Sequence, residues 1–183
     1  TWIAMKNNVM IALFVIFLLL TVLMRSFILP FVIVITVPIA GAGGVMGLVF
    51  LNQFTAQSMD MLTMLGFIIL TGIVVNNSIL MVEQTLWHIR YESLKISEAI
   101  TEATRNRIRP IFMSTLTSLF GLIPLIIFPG SGSELYRGIG TVVFGGLSTS
   151  AILTLLMVPP LLALALKFEK VKPISQIKQE EFV

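Results

Sequence analysis

The stretch MLTMLGFIILTGIVVNNSILMV, residues 61–82, carries no charged side chain. Backbone groups in a bilayer core must pair within their own segment, so an apolar run of about 20 residues is typical of a membrane-spanning helix. Four further runs have this character, at residues 3–24, 29–51, 110–128 and 139–166, and only Lys6 among them is charged. The sequence therefore predicts an all-α, polytopic membrane helix bundle with five transmembrane helices.

The composition excludes most soluble functions. Hydrophobic residues make up 56% of the 183 residues and charged residues 11%, whereas about 25% is usual in soluble domains. The net charge of +3 is too small to indicate a nucleic-acid partner. Since the chain has no cysteine and a single histidine, His88, we expect no enzyme, no metal site and no cofactor. The apolar runs also lead us to expect membrane lipid around the helices.

The basic residues between the runs predict an orientation, because such residues accumulate on the cytoplasmic side. If the N-terminus is outside, ten of the twelve Lys and Arg residues lie on the cytoplasmic side. These ten are Arg25, Arg90, Lys95, Arg105, Arg107, Arg109, Lys167, Lys170, Lys172 and Lys178, and the outer pair is Lys6 and Arg137. We expect a transmembrane half-domain at 1–166 and a cytoplasmic tail at 167–183. The connection at 84–109 should be cytoplasmic, with a short amphipathic helix capped by Ser97 along the membrane surface.

Small residues and prolines predict how the helices pack. Small side chains let helix backbones approach closely in a membrane, and we expect this role for Gly43, Gly47, Gly72, Gly145 and Gly146. Proline removes a backbone donor and bends a helix. Bends are therefore expected near Pro38, Pro124 and the pair at 159–160.

Polar side chains at membrane depth are the candidates for function, because they are costly there. Gly72, Asn76 and Glu83 share one helix face by their spacing, and we expect that face to point into the bundle. A structural interpretation stays open: Asn76 and Asn77 could be interhelical hydrogen-bond partners worth about 0.6–2 kcal/mol each. Likewise, the Ser114 hydroxyl could bond to its own helix, and Arg107 could be an interfacial anchor.

An ordered set of motifs extends across the chain. They are GIVVNNSILMVE at 72–83, EA at 98–99, RIRPIFMST at 107–115, GLIPL at 121–125, GSGSEL at 130–135, VFGG at 143–146 and VPP at 158–160. The set closely resembles the C-terminal half of the permease subunit of resistance-nodulation-division (RND) efflux pumps of the acriflavine-resistance type. The resemblance covers the chain up to about Leu166.

The resemblance implies a twelve-helix permease in the bacterial inner membrane, of which this chain would be the last five helices. Such permeases are homotrimers that export drugs and other amphiphiles in exchange for protons. The implied partners are the N-terminal half of the same permease, a periplasmic adaptor and an outer-membrane channel. The proton is the coupling ion. Because the periplasmic domains that grip substrate lie outside this chain, its implied share of the work is energy coupling and helix packing.

The resemblance also implies a site. In the family, two aspartates of the first half face a lysine on the tenth helix, with a hydroxyl and an arginine on the eleventh. By position, Asn76 replaces the lysine, Asn77 matches the asparagine after it, Ser114 is the hydroxyl, Arg107 is the arginine, and Glu83 is an acidic position. An amide cannot supply the positive charge that stabilises ionised carboxylates. We therefore expect either a retuned proton relay or, alternatively, a non-transporting membrane scaffold or lipid-binding assembly subunit of the same fold.

Overall fold

The computed structural model describes residues 2–54, 59–128 and 133–168, without the side chains of residues 2–6, 8 and 133–135. These ranges are helical apart from short connections and contain no strand. The helices are α1 (Trp2–Met24), α2 (Ile28–Val34), α3 (Thr36–Leu51), α4 (Met61–Tyr91), α5 (Ile96–Ile127) and α6 (Ser133–Phe168). The predicted all-α class is confirmed.

Four units are long and apolar enough to cross a membrane: α2 with α3, α4, α5, and α6 from Tyr136. The fifth, α1, has 23 residues and an apolar stretch at Val9–Met24. At about 1.5 Å per residue, α1 is about 34 Å long, against a hydrocarbon core of about 30 Å. Five helical units therefore correspond to the five apolar runs in the sequence.

The second unit is broken at Ile35, between α2 and α3. Pro38 has no N–H to donate to the Val34 carbonyl, and its ring clashes with that carbonyl. The Thr36 hydroxyl donates to the Ile33 carbonyl at 2.6 Å and so satisfies a backbone acceptor beside the break. The prolines of α5 and α6, in contrast, lie inside helices that continue past them.

The central helix is α6, which packs against α2, α3, α4 and α5. One hydrophobic cluster joins the end of α6 to α2 and the second half of α4, with Ile33, Val82 and Leu162 fully buried. A second cluster joins the beginnings of α4 and α6 around Leu70 and Val142. Helix α4 also packs against α5, α3 and α2, and its remaining side is exposed.

The closest helix approach is between α3 and α6, at Gly43, Gly47 and Gly145, which we call the glycine seam. A Cβ on Gly145 would lie 2.6 Å from the Gly43 carbonyl oxygen and 2.9 Å from the Gly47 Cα. A Cβ on Gly146 would overlap the Leu70 side chain of α4. Gly72 differs from these glycines, since a Cβ there would meet nothing within 4 Å.

Residues 84–109 form a corner and two long helix ends instead of a short separate helix. The helix α4 continues to Tyr91, and α5 begins at Ile96 and runs through Pro110 into the fourth apolar run. Lys95 is the N-cap of α5, so that Ser97 lies in its first turn and is not the cap. A single proline removes only one backbone bond, and Pro110 therefore does not separate the amphipathic turns from the span. The tail beyond Phe168 lies outside the described residues.

Candidate functional site

The side of α4 that faces away from α6 is exposed along the helix. Its polar members are Asn76, Glu83 and Arg90, and Gly72 lies beside Asn76; all four are exposed. Apolar residues continue the same side at positions 65, 68 and 69, and Trp87 lies on it as well. We call this surface the open face of α4. The spacing of Gly72, Asn76 and Glu83 places them on one side of a helix, and within this chain that side is turned outward.

Asn77 and Ser78 point in other directions from Asn76. Asn77 is half-buried, whereas Ser78 is fully buried and its Oγ lies 3.2 Å from the Thr36 Oγ1. The single hydroxyl proton of Thr36 is donated to the Ile33 carbonyl, so Ser78 is the donor to Thr36. Ser78 therefore joins α4 to α3, and its role is structural.

Arg107 is held by a residue that the sequence analysis did not single out. Its Nε donates to the Gln84 Oε1 at 2.5 Å, between α5 and α4, and Arg107 is half-buried. No hydropathy or motif signal distinguishes Gln84; only its position one residue after Glu83 could have drawn attention to it. The contact gives Arg107 an uncharged partner in this chain.

The contact between Arg107 and Gln84 also fixes the register of two neighbouring antiparallel helices. Ser114 lies seven residues after Arg107 on α5, and Asn77 lies seven residues before Gln84 on α4, so both steps lead toward the same end of the bundle. Both steps cover about 10.5 Å at 1.5 Å per residue. Ser114 and Asn77 are therefore at the same level along the α4–α5 seam. The Ser114 hydroxyl donates to the Ile111 carbonyl at 3.1 Å, so its proton is engaged within its own helix.

Glu83 lies in a cleft between α4 and α1, and Arg107 is not part of that cleft. With Arg90, Trp87 and Tyr91, Glu83 lines this cleft of about 290 Å³, whose other wall includes Leu23 and Met24 of α1. Trp87 and Tyr91 stack there with ring centroids 5.8 Å apart. Among the described residues, the carboxylate in contact with a basic side chain is Glu92, beside His88, and Glu83 does not contact Arg107.

His88 is the second feature that the sequence analysis missed. Its side chain is 6% exposed, and its Nδ1 lies 2.7 Å from the Oε2 of Glu92, whose side chain is 43% exposed. The Nε2 atom is buried and has no hydrogen-bond partner in the part of the chain that the structure describes. The spacing of four residues between a histidine and a glutamate on one helix was the available signal.

The site thus consists of amides, hydroxyls, the guanidiniums of Arg90 and Arg107, the imidazole of His88 and separate carboxylates, arranged on α4 and α5. Residues 2–54, 59–128 and 133–168 hold no group of three His, Asp or Glu side chains that could bind a metal ion. Such groups can make hydrogen bonds to a partner that covers α4. The glycine seam, in contrast, serves the packing of α3 against α6.

Comparison with known proteins agrees with this architecture. The model of the AcrB/AcrD/AcrF family matches residues 4–165. Among solved structures, the chain is similar to a heavy metal efflux pump, with 31% sequence identity and a TM-score of 0.75. The similarity covers 88% of this chain and 16% of that protein's chain, so this chain spans a minor part of its length. With nearly all of its membrane helices matched, the chain belongs to the AcrB/AcrD/AcrF family of RND efflux permeases.

Proposed function

We propose that this chain is the energy-coupling part of a proton-driven efflux permease. The observation that carries the proposal is the open face of α4, on which the polar side chains of Asn76 and Glu83 are exposed at or near the depth of the third apolar run. Polar side chains in a bilayer are costly, and they usually face a bundle interior or a water-filled cavity. The open face therefore requires companion helices, and the N-terminal half of the same permease is the companion we propose.

In this proposal, a proton binds between the open face and the companion half, near Asn76, Asn77 and Ser114. Protonation favours one packing of the two helix repeats over the other, and the alternation moves substrate. Asn76 donates and accepts hydrogen bonds there but brings no charge. Arg107, which Gln84 positions about two turns from Asn77 and Ser114, supplies a cation on the α4–α5 seam.

The assembly we propose is a homotrimer in the bacterial inner membrane, with the C-terminus in the cytoplasm. It works with a periplasmic adaptor and an outer-membrane channel. Drugs and other amphiphiles are the proposed cargo. Because the similar solved structure is a heavy metal efflux pump, a metal ion is the competing cargo, and transport assays with both kinds of cargo separate the two.

The test is efflux by the intact permease carrying Asn76→Ala. We expect proton-dependent efflux to fall by about tenfold, because the alanine side chain can no longer make the hydrogen bonds through which Asn76 positions the proton site. Asn106→Ala is the matched control, because Asn106 is an exposed amide at the corner end of α5, outside the fourth apolar run. Undiminished efflux with Asn76→Ala would remove Asn76 from the mechanism.

A second function, a non-transporting membrane scaffold, is favoured by one observation. Arg107 and Ser114 both have hydrogen-bond partners inside this chain, as structural side chains do. A protonophore separates the two functions, since it should stop efflux by a proton-driven transporter. Two adjacent aspartates in the fourth helix of the companion half would favour transport, and amides at those positions would favour the scaffold.

A further inference from the structure

A line of polar side chains follows the side of α4 that borders α5. Its members are Asn77, Gln84, His88 and Glu92, at intervals of seven, four and four residues. These intervals keep side chains near one side of a helix with 3.6 residues per turn. The line runs from the level of Ser114 to the corner at residues 92–95, where α4 ends.

Two contacts connect this line to its surroundings. Gln84 accepts the hydrogen bond of Arg107, and His88 contacts Glu92 one turn further on. The line also changes from half-buried at Asn77 and Gln84, through buried at His88, to exposed at Glu92. Glu92 is therefore the side chain of this line that water can reach.

The state of the His88 ring follows from its two nitrogens. Nδ1 lies 2.7 Å from a carboxylate oxygen, which accepts hydrogen bonds, so Nδ1 carries a proton and donates it to Glu92. In the neutral ring Nε2 then holds the lone pair, and Nε2 is buried and has no hydrogen-bond partner among the described residues. A buried nitrogen with a free lone pair on one side and an exposed carboxylate on the other is suited to relay a proton.

We propose that His88 and Glu92 form the outlet through which protons leave the α4–α5 seam for the aqueous phase at the corner. The inference rests on the proposed function, since it assigns the exit of the same proton pathway. Neither residue belongs to the set carried over from the family resemblance. Glu92 is the terminal group of the pathway, and His88 transfers the proton to it.

The transfer balances without any further reactant. Nε2 takes up one proton and forms an imidazolium; Nδ1 then gives its proton to the Glu92 Oε2, and the carboxylic acid releases that proton to water. The ring is left with its proton on Nε2, and reorientation of the side chain about both the Cα–Cβ and the Cβ–Cγ bonds brings that protonated nitrogen toward Glu92 before the next cycle. One proton enters and one leaves in each cycle.

Other charged groups surround the corner on each packed element. They are Arg90 on α4, Lys95 at the corner, Glu98, Glu102, Arg105, Arg107 and Arg109 on α5, and Lys167 on α6. Among the described ionisable groups, Glu92 is the one in contact with the His88 ring. Substitutions of the other carboxylates therefore serve as controls for a general electrostatic effect.

The experiment uses the full-length permease in proteoliposomes with an imposed pH gradient and ethidium as the transported probe. The variants are His88→Asn, which retains an amide donor toward Glu92 but cannot relay a proton, and Glu92→Gln. The control is Glu98→Gln, an exposed carboxylate at the beginning of α5. We expect both variants to slow ethidium-coupled proton flux by about tenfold or more, while the concentration of ethidium at half-maximal rate stays unchanged.

A second readout separates proton release from a structural role. If release at the corner becomes rate-limiting, a higher concentration of a small permeant buffer, imidazole, should restore the rate of both variants and leave Glu98→Gln unaffected. Should His88→Asn fail to fold, Glu92→Gln gives the same readout from an exposed position. Slow flux that imidazole does not restore, or wild-type flux in Glu92→Gln, would overturn the outlet.

Failure of the outlet and failure of the proposed function give different results. If ethidium efflux by the wild-type permease is coupled to protons but both variants behave as wild type, only the outlet is wrong. If the wild-type permease exchanges protons neither for ethidium nor for a divalent metal ion, the proposed function fails and the outlet fails with it. Proton coupling of the wild-type protein is measured first and decides the proposed function, and the variants are then compared to decide the outlet.

Discussion

Replacement of Gly145 by alanine places one methyl group into the backbone contact between α3 and α6. The new Cβ would lie 2.6 Å from the Gly43 carbonyl oxygen and 2.9 Å from the Gly47 Cα. Carbon and oxygen atoms in contact need about 3.4 Å or more, and both neighbours are backbone atoms that cannot rotate away. The two helices must therefore separate by several tenths of an ångström.

The cost of such overpacking is about 1–3 kcal/mol. The destabilisation should be local to α3 and α6, because the atoms nearest to the added methyl group all belong to Gly43 and Gly47 of α3. Local opening that becomes easier by this amount speeds backbone hydrogen exchange by about 5- to 150-fold. Hydrogen exchange followed by mass spectrometry, on the intact permease in detergent, should show the increase in peptides from α3 and α6 and not in peptides from α1.

Gly41→Ala is the matched control, because Gly41 also lies in α3 and a Cβ there would meet nothing within 4 Å. Its exchange should stay the same or become slower, since alanine favours a helix by about 0.5–1 kcal/mol over glycine. Equal effects of Gly145→Ala and Gly41→Ala would refute the assignment of the seam. Unchanged exchange in Gly145→Ala would do so as well.

Two further predictions concern single contacts. The hydroxyls of Thr36 and Ser78 share one buried hydrogen bond. In a double-mutant cycle of thermal unfolding, Thr36→Val and Ser78→Ala should therefore show a coupling free energy of about 0.6 kcal/mol, and of about 2 kcal/mol at most. Additive effects of the two substitutions would contradict this hydrogen bond. Asp60→Ala should destabilise the start of α4 by about 1 kcal/mol, since Asp60 accepts from the Thr63 backbone N–H at 2.8 Å. The Thr63 side chain, followed by that N–H, holds the pKa of the Asp60 carboxyl below its ordinary value of 3.8. A carboxyl whose pKa is lowered by folding stabilises the protein above about pH 4, and this stabilisation is lost as the pH falls through the lowered pKa. The stability difference between the wild type and Asp60→Ala should therefore disappear in acid. A stability difference that does not change with pH would exclude this cap.

The helix boundaries show where hydropathy stops being informative. The third apolar run ends at residue 82, but α4 continues to Tyr91 and carries His88 at its end. Hydropathy marks the part of a helix that lipid surrounds, and a helix continues past that part wherever its backbone bonds remain satisfied. The same reasoning explains why α5 begins at Ile96, well before the fourth run at residue 110.

The candidate site was predicted in part. Helical spacing alone placed Gly72, Asn76 and Glu83 on one side of α4, because that relation is local to a single helix. It did not reveal that Arg107 bonds to Gln84, a residue 23 positions away on another helix. Nor did it reveal that His88, which looked uninformative as the single histidine, is buried against Glu92.

The sequence by itself determined the number of spans and the all-α class, because a bilayer core accepts only apolar segments whose backbone groups pair internally. Only the tertiary structure decided which side of α4 remains open, how α3 meets α6 at the glycine seam and which groups Arg107 and His88 contact. Those relations depend on the rotation and the register of one helix against another. Rotation and register are set by the packing of side chains from distant parts of the chain, which the periodicity of a single helix does not encode.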